Sequence, residues 1–178
     1  PQPPPPPASP APGTVGADGT FAFSSLFGNR LFRVDRLPDG WALKSVFLDD
    51  ADVTDAPVEL AGGARPRVLR VVITSRTASV SGTLEGARGG ASAGRVVVFT
   101  EELRRWGFRS RGIKTVDVRA DGGYTINGLL PGKYFIVAAD DLDDGAWNDP
   151  EVLARLQTTA VPRVMTEGQN VTLALKLR

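Results

Sequence analysis

The chain contains no histidine and no cysteine among its 178 residues. These two absences exclude disulfides, thiolate nucleophiles, thioether haem attachment, zinc sites built on cysteine or histidine, and any Ser–His–Asp triad. Long hydrophobic runs are missing too. No apolar stretch approaches the roughly 18 residues that a membrane-crossing helix needs, so no membrane insertion is expected. An excess of charge is also missing. Twenty-one Lys and Arg stand against 20 Asp and Glu, a net charge of +1. No global field would draw the protein to nucleic acid or to an anionic membrane, and no nucleic-acid partner is expected.

What is present suits a folded protein. Apolar residues make up 42% and charged residues 23%, both ordinary for a globular chain of one or two domains. The chain begins at Pro1, so a processed or excerpted product is expected, with a cleaved secretion signal as a natural explanation. Residues 1–12, PQPPPPPASPAP, include five consecutive prolines, which favour an extended polyproline II conformation. Residues 1–15 read as an arm or linker. They serve as a spacer or dock on a partner, and Pro3, Pro4 and Pro5 are the interaction candidates.

The rest reads as β. Short runs rich in Val, Ile, Phe and Tyr are separated by Gly, Pro and Asp. Strands are expected around Phe21 and Phe23, at 31–34, 41–48, 68–74, 77–86, 95–100, 114–119, 124–126, 134–138, 163–166 and 171–177. Arg95–Thr100 (RVVVFT) is continuously apolar and too short for a helix, which argues for a buried strand. Residues 149–157, with a cap-type Asn or Asp and a proline in the first turn, predict one short helix.

One stretch occurs twice. Residues 17–34, ADGTFAFSSLFGNRLFRV, and residues 120–137, ADGGYTINGLLPGKYFIV, keep the same pattern without a gap. Each copy has an Asp-Gly turn, alternating apolar residues, a leucine, a corner and a basic residue before the next strand. The corner is Gly28-Asn29 in one copy and Pro131-Gly132 in the other, the latter pair suited to a type II turn. The chain is therefore expected to hold two related modules, joined near residues 75–77. The second, 77–178, has strands upstream of its repeat. The first, 16–76, has only the proline tract there, and is expected to be incomplete, with an open sheet edge.

SGTLEG at 81–86, VVVF at 96–99 and ADGGYTINGLLPGKYFIVA from 120 resemble the carboxypeptidase regulatory-like domain. That resemblance covers most of 77–178 and implies a transthyretin-like β-sandwich, common in bacterial exported proteins. The first module matches only the later half of the pattern and departs from it at Gly28-Asn29. The family implies an accessory role and no catalytic residues.

Three constellations qualify as sites. Asp140, Asp141, Asp143 and Asp144 offer the oxygen density of a loose calcium site. Leu142 stands where an EF-hand needs an oxygen, and a solvated acidic loop is the alternative; no metal or other cofactor is required. The basic stretch Arg104, Arg105, Arg109, Arg111 and Lys114, with Trp106 and Phe108 inside it, reads either as a solvated hairpin or as contact with an acidic partner surface. Trp41, Trp106 and Trp147 are either core residues or platforms for sugar rings.

The expectation is an all-β protein of two tandem transthyretin/Ig-like antiparallel β-sandwich modules. It is expected to be non-enzymatic and exported to the extracellular or cell-surface space. Its expected role is structural, in a filament or surface array with other copies or a parent protein, completed by strand addition at the first module. The alternative is an accessory module for polysaccharide or a surface protein.

Overall fold

A computed structural model describes residues 14–23, 26–61, 66–86, 89–90 and 92–177. The proline candidates Pro3, Pro4 and Pro5 lie outside the described residues. The chain forms an all-β sandwich architecture with one short helix.

The larger core lies in the second half. One sheet runs in the order β8 (Ile113–Asp117), β7 (Arg95–Thr100), β10 (Gly132–Ala139), β11 (Val161–Met165), all antiparallel. The facing sheet is built on β6 (Ala78–Glu85), which pairs antiparallel with β9 (Gly123–Leu129). On its other edge β6 takes β12 (Asn170–Thr172) and β13 (Leu175–Lys176) in parallel. Val80, Leu84, Val96, Val98, Tyr124 and Ile136 fill the space between the sheets.

The parallel pairing departs from the expected antiparallel arrangement, and the alternating run 171–177 is split at Leu173. Gly82 makes room for the chain at the split. A Cβ there would overlap the Leu173 carbonyl. Its absence lets the last strand press against β6, where Leu173 N donates to Ser81 O (2.8 Å). The Tyr124 hydroxyl donates to the Leu173 carbonyl at 2.7 Å.

β7 is buried on both faces. Val96 and Val98 face the sandwich core, while Val97 and Phe99 face α1 (Pro150–Gln157). This is why its sequence is continuously apolar instead of alternating. The helix begins where the cap chemistry predicts. Asp149 accepts from Glu151 N (2.8 Å), Pro150 follows, and Leu153 is fully buried against the sheet.

The first half carries two smaller sheets: β3 (Ala51–Asp52), β2 (Ala42–Leu48) and β5 (Leu69–Thr74) in that order, and β1 (Gly28–Arg30) with β4 (Val58–Leu60). Leu43, Val46, Leu48 and Val53 form their core, packed by Phe32, Val34, Val58 and Leu60. β3 and β4 have no counterpart among the expected strands.

The two copies of the repeat share a turn and then part. Asp18 accepts from Thr20 N (3.0 Å), and Asp121 accepts from Gly123 N (2.8 Å), at equivalent positions. Gly19 and Gly122 follow with φ of 79° and 80°, a conformation suited to glycine. The second copy then enters β9 against β6. The first does not. Residues 20–23 form no strand; Phe21 and Phe23 meet edge-on at 5.7 Å. Ladder pairing appears at 28–30 and not at 31–34, although Phe32 and Val34 still pack inward. An extended segment needs a neighbour for its backbone groups, and no counterpart of β6 stands beside Phe21 among the described residues.

Candidate functional site

The basic stretch 104–111 lies in the connection between β7 and β8 and reaches across to the first half of the chain. The geometry centres on Asp55, just before β4. Arg111 grips it with two parallel bonds, Nε to Oδ1 (2.8 Å) and Nη2 to Oδ2 (2.9 Å). This two-point geometry is the strong form of a charge-assisted pair. Arg105 Nε lies 3.1 Å from Oδ2, close enough for an ion pair but not aligned for a hydrogen bond. Arg33 Nη2 stands 3.7 Å from Oδ1. Three guanidinium groups thus converge on one half-buried carboxylate. Burial pushes Asp55 up, but the Arg111 hydrogen bonds and the charges of Arg111, Arg105 and Arg33 outweigh it. Its carboxyl is held below the usual range.

Backbone carbonyls take up the remaining donors. Arg33 Nη1 donates to Thr54 O (2.7 Å) and Phe32 O (2.9 Å), and its Nε to Arg109 O (2.9 Å). Arg111 Nη1 donates to Lys44 O (3.1 Å) and Leu43 O (3.3 Å). Those two carbonyls sit where the register of β2 against β5 slips between Leu43 and Ser45. A bulge leaves a residue out of the ladder, and Arg111 satisfies it from the other half. Arg109 pairs with Asp35 (2.7 Å). Arg104 stays at the surface on Glu102 (2.9 Å).

Trp106 lies within the same connection but belongs to the core. Its Nε1 donates to Thr100 O (2.7 Å) and its ring meets Phe99 edge-on at 5.4 Å. Trp147 packs beside α1, with the Arg95 guanidinium over its ring at 4.7 Å. Trp41 differs: it is 37% exposed.

The acidic run does not converge. Asp144 pairs with Arg95 (2.6 Å). Among the described residues no group of three or more acidic side chains is arranged to hold a metal ion, so Asp140, Asp141, Asp143 and Asp144 form no such cluster.

Beside the Asp55 junction lies a groove of about 350 Å³. Residues 33–34 and 36–43 form one wall; Arg111, Lys114, Asn127, Gly128 and Leu130 form the other. A second bulge shapes it. β9 carries an extra residue against β6 between Ile126 and Leu129, and Gly128 there has φ 72°. The bulge turns Asn127 into the groove. Its carbonyl accepts from Lys114 Nζ (2.9 Å), and its Nδ2 donates to Asp39 Oδ2 (2.9 Å). Burial pulls the Lys114 ammonium below its ordinary value, opposed by Asp39. The sequence placed Lys114 in the basic stretch and Asp39 in an Asp-Gly turn, but gave no sign that either meets Asn127. The Asn-Gly pair within TINGLL, a bulge signal, was the available clue.

No family model matches the chain, and no curated protein matches it. Solved structures do. The Bacillus anthracis TIE protein matches over 67% of this chain and 20% of its own, at 16% identity and a TM-score of 0.36. The group B streptococcus pilus 2b backbone protein matches over 67% and 46%, at 15% identity and 0.35. The major pilin subunit of Bacillus cereus matches over 79% and 57%, at 12% identity and 0.40. This chain spans about a fifth of the first and about half of the other two. No residue role is carried over from them.

Proposed function

We propose that this chain is a non-catalytic structural protein of the cell exterior, built from sandwich modules at 16–76 and 77–178 behind a proline-rich arm at 1–15. It assembles with copies of itself by strand addition at the first module. One observation carries this reading. β5 pairs with β2 on one side and with no strand on the other among the described residues. It is flanked by Val68, 73% exposed, and contains Ile73, 42% exposed. Soluble proteins usually blunt such edges with charge, bulges or proline. Here Arg70, the only charge in β5, stacks over the Phe47 ring at 4.1 Å.

Light scattering across micromolar to submillimolar concentrations tests it. The protein should form concentration-dependent oligomers, and Ile73→Lys combined with Val68→Lys should suppress them. A monomer throughout that range would remove the basis for assembly.

A second reading, an accessory binding module, is favoured by a different observation. Trp41 is partly exposed and lines the polar groove beside the Asp55 junction.

A further inference from the structure

We propose that this groove binds an acidic saccharide, a sugar ring that carries a carboxylate of the hexuronate type. The inference rests on the binding-module reading and gives it a ligand class and a set of contacts.

The charge is the first argument. Arg33, Arg36, Arg111 and Lys114 line the groove against one carboxylate, Asp39. Arg33 and Arg111 are committed to Asp55. Arg36 and Lys114 make no ion pair among the described residues. Arg36 therefore faces the groove without an ion-pair partner, and Lys114 feels only the more distant charge of Asp39. Lys114 spends one N–H on the Asn127 carbonyl, which leaves donors for an incoming anion. Withdrawing an ammonium from water is costly unless it is paired, so a ligand carboxylate recovers energy that the folded chain alone does not.

The second argument is how the floor is built. A Cβ on Gly128 would lie 2.8 Å from both Lys114 Nζ and the Trp41 carbonyl. Only a bare backbone at this position lets the amine and the Trp41 main chain approach together. The Lys114 amine and the Trp41 main chain thus both crowd the bare Cα of one glycine, and Trp41, 37% exposed, also lines the groove.

The third argument separates a sugar from a bare anion. Asp39 and Asn127 stand in the same groove, already bonded to each other. Asp39 also accepts from Gly40 N (2.9 Å), yet each of its oxygens keeps a further lone pair. Acceptors and donors side by side suit ring hydroxyls. Asp39 also repels a phosphate dianion more than it repels a carboxylate monoanion. The volume of about 350 Å³ lies at the small end of ligand pockets, which run from about 300 to 1,000 Å³.

Titration calorimetry on the whole chain tests this, with tri-galacturonate as the acidic probe and galactotriose as the neutral one. The acidic probe should bind more tightly. Lys114→Gln should weaken it by about tenfold, as expected for loss of one charge-assisted hydrogen bond. Arg36→Gln lies on an exposed loop and should weaken acidic binding several-fold without touching the fold. Trp41→Ala should weaken both probes, with melting curves confirming that each variant is folded. Equal affinity for the two probes overturns the acidic specificity and leaves the binding-module reading in place. Binding of neither overturns both. Acidic binding unchanged in both Lys114→Gln and Arg36→Gln overturns the placement in this groove.

Discussion

Arg111 and Asp55 are 56 positions apart in the chain, and their side chains meet in two parallel hydrogen bonds of 2.8 and 2.9 Å. The pair ties the β7–β8 connection to the chain just ahead of β4. The same guanidinium also caps the bulged carbonyl of Lys44. Arg33, Arg105 and Arg111 all share the Asp55 carboxylate.

Removing it should therefore cost more than an ordinary surface pair. Asp55→Ala leaves three half-buried guanidinium groups crowded together without their shared anion. The expected loss is about 1–3 kcal/mol, between the surface and fully buried cases. Arg104→Ala breaks an exposed pair and should stay within about 0.5 kcal/mol. Urea unfolding of both variants beside the parent gives the comparison.

The same junction sets an acid sensitivity. The folded pKa of Asp55 lies below its unfolded value, which is about 3.9. Between the two values the unfolded chain holds the proton and the folded chain does not. Stability therefore rises with pH through that window and is fully present above it. It is lost as pH falls through the folded pKa. Asp52, lowered by the hydroxyl and amide of Thr54, acts with the same sign. Asp55→Asn should flatten part of the fall in melting temperature below about pH 4 and leave the Asp52 part. Melting temperatures recorded from neutral to acid pH decide this.

Gly82→Ala should detach the last strand. The added methyl would collide with the Leu173 carbonyl, which is backbone and has no rotamer to escape into. A loss above about 2 kcal/mol is expected, with faster hydrogen exchange at Leu173 N, the donor to Ser81 O. Tyr124→Phe removes only the hydroxyl bonded to that carbonyl and should cost about 1 kcal/mol. The Tyr124 phenol is pushed up to about 12 by burial, so Tyr124→Phe should leave the tyrosinate absorbance at pH 10 unchanged.

The helix should be sensitive at its cap and at its buried face. Asp149→Ala removes the acceptor for Glu151 N and should cost about 1 kcal/mol. Leu153→Ala empties a fully buried site between α1 and β7, at about 2–5 kcal/mol. Thermal denaturation of the two variants should rank them in that order.

Local patterning carried a reader far into this fold. The apolar-rich runs in 41–48, 68–74 and 95–100 and the proline-led helix signal at 149–157 correspond to β2, β5, β7 and α1. Each depends on side chains only a few positions apart. β3 and β4 were not legible, because strands of two and three residues are too short to show a period. Of the groove, Trp41 stood out as an aromatic and Lys114 as part of the basic stretch, but nothing local pairs Lys114 with Asn127 or Asn127 with Asp39.

The repeat divides the two kinds of information most clearly. Asp-Gly determined the turn in both copies, because a carboxylate bonding an amide two residues on is a local event. Whether the next residues became a strand was decided by what lies beside them: β6 pairs with Gly123–Leu129, and among the described residues no strand pairs with Phe21–Phe23. The basic stretch follows the same division. Its charge was written in residues 104–111, while Asp55 as the shared partner of Arg105 and Arg111 was set only by where the tertiary structure brings the β7–β8 connection. Turns, caps and periodicity act through near neighbours. Ladders and ion pairs join groups far apart in the chain, and only the folded backbone brings them within 3 Å.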